Sequence, residues 1–236
     1  MTASHASTAA GYFGAMREEY DSLIRRAVPR YAEMTARLLE YLPADAGRVL
    51  ELGCGTGNLS LALAARFPHA AITFVDASPE MVELTRARVE EAHPDVAARA
   101  GFTVARFEEL RPAPGSFDVA TSCISLHHVV DKGALYREVR RSLAPGGTFR
   151  FADQLGGGTE RNATLNWQGW LDFCRLPGNC SEEEVESLLR HAREHDHYVA
   201  LREHLRLLEE AGFADVDCVW RSWMWGIVTA DVPPGT

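Results

Sequence analysis

Between Val49 and Leu63 the chain reads VLELGCGTGNLSLAL, an apolar run that bends on three glycines and continues at once with helical spacing. Glycine reaches positive φ without steric penalty and lets a ligand approach the backbone, while the first amides of the next helix have no partner inside it. Gly53, Gly55 and Gly57 therefore predict a strand, a tight bend and a helix start suited to an anionic or zwitterionic ligand. Glu51 precedes the bend. Asp76 closes the next apolar run, AAITFVD, nineteen residues after Gly57, where a carboxylate can accept both hydroxyls of a ribose.

From residue 48 the apolar runs RVLELG, AAITFVD, FTVARF, FDVATSC and GTFRFAD alternate with helical segments, one of them from Asp131 to Leu143. Alternation of this kind predicts an α/β fold with a mostly parallel sheet covered on both faces, which explains why VLEL and ITFV lack polar alternation. Residues 12–41 carry apolar positions three and four apart and break at Pro29, so residues 1–44 read as a helical cap on a domain of residues 45–236. After Asp153 the rhythm is lost, and residues 154–198 read as a helical insertion or lid. Further helices are expected near Ser181 to Glu194 and from Val199 to Ala211. The closing DVDCVWRSWMWGIVTA holds two β-rich runs too close for a crossover, hence an antiparallel pair.

The charge, 24 basic against 33 acidic residues, sums to −9 and disfavours a nucleic-acid partner. No stretch approaches the roughly 18 apolar residues of a membrane helix, and the start lacks the features of a secretory leader. No membrane partner and a cytoplasmic location are expected. The five cysteines form no CxxC pair, which suits reduced thiols.

A dinucleotide fingerprint would place its third glycine one residue later than Gly57. Taken with Glu51, Asp76, FDVATSCISLHHV and LAPGGTFRFAD, residues 45–153 instead resemble the class I S-adenosylmethionine-dependent methyltransferases. The flanks are similar to the branch containing carboxy-S-adenosylmethionine synthase and related small-molecule methyltransferases. Leu207 stands where that synthase carries an arginine, so ordinary S-adenosylmethionine is the expected cofactor. The resemblance implies a Rossmann-like seven-stranded sheet in the order 3-2-1-4-5-7-6 with strand 7 antiparallel. It also implies that the Glu51–Gly57 loop, Cys54 included, lies under the methionine part of the cofactor, that Asp76 takes the ribose, and that Ala77, Ser78 and Met81 border the adenine. Ser122 joins this set. Where many members have Gly-Asp after strand 3, this chain has Ala105 and Arg106, leaving Phe107 and Glu108 as adenine contacts.

In open α/β sheets ligands lie beyond the carboxyl ends of the strands. Residues after strands 4 and 5 should then face a small-molecule acceptor: His127, His128 and Asp153. His127 and His128 are the candidate catalytic residues, since imidazole titrates near neutrality; a positioning role is the alternative. Tyr20, Arg25, Trp167, His197 and Tyr198 are candidate acceptor contacts. Asp196 reads equally as a helix N-cap, and for Arg25, Arg26 and Arg30 a solvated face is the default beside a forked hold on an acceptor carboxylate. Trp220 reads as core. His191 and His195 have metal-compatible i, i+4 spacing, but a solvated helix face is the favoured reading and no metal is expected. Methyl transfer to a small organic acceptor is the expected activity. A tRNA or protein methyltransferase, an NAD-dependent oxidoreductase and a non-catalytic cofactor-binding partner are the rivals, and the sequence is compatible with a homodimer.

Overall fold

The computed structural model describes residues 20–235. Tyr12, Phe13 and the rest of the cap before Tyr20 lie outside the described residues. Residues 20–27 are helical (α1), and a turn at 28–30 around Pro29 leads into α2, Tyr31–Glu40. Pro29 has no N–H to donate, and Arg30 takes a left-handed conformation at φ 59°, so the two helices cannot run on as one.

The remaining chain alternates as the apolar runs require: β1 (Arg48–Leu52), α3 (Asn58–Arg66), β2 (Ala71–Asp76), α4 (Pro79–Ala92), α5 (Pro94–Ala97), β3 (Gly101–Val104), β4 (Phe117–Cys123), α6 (Lys132–Ser142) and β5 (Leu143–Gln154). Helices α7 (Glu160–Cys174), α8 (Glu182–His195) and α9 (Leu201–Glu210) precede the hairpin of β6 (Ala214–Ser222) and β7 (Trp225–Asp231). The sheet order is β3-β2-β1-β4-β5-β7-β6. β7 runs antiparallel to both neighbours, and the other pairs are parallel. Both the order and the odd strand match the sequence expectation.

Alternate residues of β1 serve opposite faces. Val49 joins a core with Met34, Leu38, Leu63 and Phe74, whereas Leu50 and Leu52 join one with Tyr136, Phe149 and Phe151. By the same period of two, Glu51 lies on the Val49 face, under α3. Start signals are local and legible: Ser78 caps α4 with Pro79 behind it, Asp131 caps α6, and Ser181 forms a reciprocal capping box with Glu184 on α8. The register pairs Leu52 with Val75 and with Ser122, and Cys123 with Ala152. The carboxyl ends of β1, β2, β4 and β5 therefore share one edge, and chain order reverses between β1 and β4. A crevice opens at such a reversal.

Candidate active site

The glycine turn is held from behind by backbone. Val75 O accepts the Gly53 and Cys54 amides at 2.8 and 3.0 Å, and Asp76 Oδ2 accepts the Gly55 amide at 2.9 Å. Asp76 Oδ1 takes the Ser78 amide at 3.0 Å. All three glycines are left-handed, at φ 74°, 51° and 90°. Their surroundings differ. A Cβ on Gly53 would stand 2.3 Å from Ser125 Oγ, one on Gly57 3.1 Å from Thr85 Oγ1, and one on Gly55 would meet nothing within 4 Å. Gly55 alone presents its open side to space.

That space is a cavity of about 410 Å³ lined by Glu51, Gly53, Cys54, Gly55, Asp76, Ala77, Met81, Phe107 and Glu108, all expected from the sequence, and also by Arg106. Three expected members stand elsewhere: Ser78 is 1% exposed, its hydroxyl accepting the Met81 amide at the start of α4. Gly57 backs onto Thr85, and Ser122 is buried below the floor, its hydroxyl donating to Leu52 O at 2.8 Å and meeting Ser125 Oγ at 2.7 Å. Ser125 reaches the surface of the cavity in its place. Glu51 is 1% exposed; burial pushes its carboxyl up to about 8, against a 2.7 Å hydrogen bond from Ser60 that favours ionisation. Burial also raises Asp76, opposed by the amides of Ser78 and Gly55.

Tyr20, Ile24 and Tyr31 of α1 and α2 close the cavity from above. Asp21 pins this roof: its carboxylate accepts from Thr56 Oγ1, from Asn58 Nδ2 at 2.7 Å and from Arg88 Nη1 at 2.9 Å. Arg26, rather than binding a ligand, forks onto Glu184 of α8 at 2.7 and 3.0 Å.

A smaller cavity of about 60 Å³ adjoins the first, sharing Tyr20, Ile24 and Ile124 and lined further by Leu188, Trp170 and Trp225. Ile124 follows β4 in the left-handed region, at φ 57°. A β-branched side chain there is an outlier, and strain of this kind collects at functional sites. Beside it lies a cluster of imidazoles and carboxylates. His127 Nδ1 meets Asp153 Oδ1 at 2.5 Å, and Asp153 Oδ2 accepts the amides of Leu126 and His127 at 2.6 and 3.1 Å. Asp196 Oδ1 stands 3.1 Å from His128 Nδ1, 3.5 Å from His191 Nε2 and 3.8 Å from His127 Nε2, while its other oxygen accepts the Tyr198 hydroxyl. Burial lowers His127, but the Asp153 carboxylate and its hydrogen bond outweigh this and leave it raised. Burial lowers His128 and takes His191 down to about 3. Asp196, although buried, falls to about 2 under the surrounding imidazoles and the Tyr198 hydroxyl.

The acceptor-facing expectations fall into two groups. Tyr20, His127, His128, His197 and Tyr198 each line a cavity. Three do not. Asp153 is 1% exposed and committed to His127 and backbone amides. Arg25 is exposed on α1, and Trp167 packs on Trp170 and Tyr198 behind the wall, leaving Trp170 to face the cavity. Asp196 follows the last residue of α8, so its carboxylate meets imidazoles instead of capping a helix start. His191 is buried, contrary to a solvated face. Trp220 is half-buried, donating to Glu33 at 3.1 Å beneath Arg30. The sequence divided Asp196 between acceptor contact and helix cap and set His191 aside on a solvated face; the structure brings the two within 3.5 Å of each other.

Comparison with known proteins follows the same lines. Residues 49–147 match the family model described as a methyltransferase domain. The chain is 36% identical over 143 residues to a ubiquinone/menaquinone biosynthesis C-methyltransferase of Geotalea daltonii, covering 57% of this chain and 58% of that protein. It is 29% identical over 195 residues to a malonyl-[acyl-carrier protein] O-methyltransferase of Geobacter sulfurreducens, covering 79% of this chain and 66% of the relative. The alignments thus span less than two thirds of either relative. In fold, it superposes with a TM-score of 0.68 at 20% identity on a chain from the complex between the Haloferax volcanii Trm112 methyltransferase activator and a methyltransferase, covering 94% and 97% of the two chains.

Proposed function

We propose, from the premise that this chain is a class I S-adenosylmethionine-dependent methyltransferase, that it methylates a small and largely apolar organic acceptor beneath the α1 roof. The observation that carries the reading is the pair of adjoining cavities. The larger has the polar floor a nucleoside amino acid needs, and the smaller is walled by Leu188, Trp170 and Trp225.

The residues present fit the cofactor. A volume of about 410 Å³ is of the size that small-ligand sites occupy. Gly55 leaves room where any side chain would intrude, and Asp76 holds a carboxylate at the tip of β2 for ribose hydroxyls. Phe107 and Met81 offer apolar surface to a base, and Glu51 offers a carboxylate to a cation. S-adenosylmethionine, when bound, supplies a methyl group already activated on a sulfonium.

What the chain must add is alignment and exclusion of water. Orientation alone is worth effective molarities of about 10⁵ M or more. Tyr20, Ile24 and Ile124 border both cavities and so fix the line along which acceptor and cofactor meet. His128 faces the larger cavity and His127 the smaller, with Asp153 fixing the His127 ring. These two imidazoles hold the acceptor's polar end and are the groups available to its departing proton.

The test is calorimetry with S-adenosylhomocysteine, then incubation with isotopically labelled methyl donor and a small-molecule extract. Binding and a labelled low-molecular-weight product are expected. No heat, or label found only in RNA or protein, would overturn the reading.

A further inference from the structure

We infer that His127, His128 and Asp196, with His191 packed beside them, form a binding site for a divalent first-row transition ion in the wall between the two cavities. Its existence stands on the cluster's geometry; its use in catalysis rests on the acceptor reading above.

The spacing is that of ligands around one ion. Asp196 Oδ1 lies 3.1, 3.5 and 3.8 Å from ring nitrogens of His128, His191 and His127. A tetrahedral ion with bonds of about 2.0–2.1 Å keeps its ligand atoms roughly 3.4 Å apart. Donor atoms of His127, His128 and Asp196 all lie within 4.8 Å of one another. Hydrogen bonding describes this less well. Two of the three separations exceed the roughly 2.7–3.2 Å of an N–H···O bond, and a single carboxylate oxygen has two lone pairs for three imidazoles.

The outer layer is built as metal sites build theirs. The Asp153 carboxylate takes His127 Nδ1 at 2.5 Å, which turns Nε2 toward Asp196, and the Tyr198 hydroxyl takes the second oxygen of Asp196. Partners of this kind set ring orientation and hold ligating carboxylates still. The side chains are enclosed, with exposures of 5% for His127, 7% for His191 and 4% for Asp196. His128, at 16%, borders the larger cavity and gives the ion an open side.

Two imidazoles with one carboxylate suit zinc or iron(II) and not magnesium or calcium, which prefer oxygen throughout. An ion here would polarise an acceptor that offers oxygen, a hydroxyl or an enolisable carbonyl, and lower the cost of losing its proton. His127 and His128 would then act by holding the ion.

The experiment uses the full chain, stripped with a chelator and titrated with Co²⁺, Zn²⁺ and Mg²⁺, with S-adenosylhomocysteine binding as the check on folding. One equivalent of Co²⁺ with visible d–d absorption, displaced by Zn²⁺ and not by Mg²⁺, is expected. His128→Ala and, as a second variant, Asp196→Asn should weaken Co²⁺ binding at least tenfold while S-adenosylhomocysteine binding persists. Absence of Co²⁺ binding, or equal binding by wild type and both variants, overturns the site. Co²⁺ bound as expected with no heat from S-adenosylhomocysteine in the wild type upholds the ion site and removes the methyltransferase reading instead.

Discussion

The carboxylate of Asp76 accepts the Gly55 amide at 2.9 Å, so the ends of β1 and β2 are fastened to each other across the cavity floor. Losing that carboxylate would remove the ribose contact proposed for it and loosen the loop together. Asp76→Ala is expected to weaken S-adenosylhomocysteine binding by about 1.5–3 kcal/mol, roughly 10- to 150-fold in Kd. Titration calorimetry checks this, and a change below twofold would contradict the role given to Asp76.

Gly53 and Gly55 should fail in different ways. Gly53→Ala drives a methyl group to 2.3 Å from Ser125 Oγ, and overpacking of this sort costs about 1–3 kcal/mol of folding stability. A Cβ on Gly55 meets no protein atom within 4 Å and enters the cavity, so Gly55→Val should abolish S-adenosylhomocysteine binding; the left-handed φ of 51° adds backbone strain that lowers its thermal midpoint, without any clash against Ser125. Thermal melts with and without ligand separate the two; the same phenotype for both would refute the distinction.

Glu51 gives the site a pH dependence. Its folded value of about 8 stands above the ordinary 4.5, so the folded chain holds a proton that the unfolded chain has lost between those limits. The group's share of stability is complete below about pH 4.5 and is lost as pH rises through about 8. A cationic ligand favours the ionised carboxylate. Affinity for S-adenosylmethionine should therefore increase as pH rises toward 8, with a proton released on binding. Calorimetry in buffers of different ionisation enthalpy reads that proton, and Glu51→Gln should release none.

His204 works in the opposite sense. It sits buried in the second core with Nδ1 2.6 Å from the Tyr136 hydroxyl, and burial takes it down to about 4 from the ordinary 6.5. The unfolded chain binds the proton first, so stability is complete above about pH 6.5 and falls as pH drops through about 4. At about 1.4 kcal/mol per pH unit the loss is on the order of 3 kcal/mol. Urea denaturation at pH 7 and pH 4.5 should show it, and His204→Gln should flatten that difference.

The parts of the molecule readable from sequence are those specified by neighbours along the chain. Apolar runs such as VLEL and ITFV marked the strands of a mostly parallel sheet, whose order came with the family resemblance, and the cavity floor from Glu51 to Gly57 was marked because a bend and a helix start are local events. Even there, depth was hidden: Gly57 and Ser122 belong to the motif but face Thr85 and Leu52 O. The acceptor wall was less legible. Asp196 meets His127 and His128 only because the end of α8 returns beside the loop that follows β4, and no periodicity reports which end of a helix a later loop will touch. The left-handed Ile124 is likewise a product of packing, since nothing in its residue type calls for φ 57°.

Asp21 anchors the lintel of the doorway to the sheet through Thr56, Asn58 and Arg88. Trimming the polypeptide to begin after Tyr31 would spare every strand yet discard Tyr20, Ile24 and this anchor. The shortened form would keep the sheet's order while losing the ceiling that separates reactants from bulk solvent.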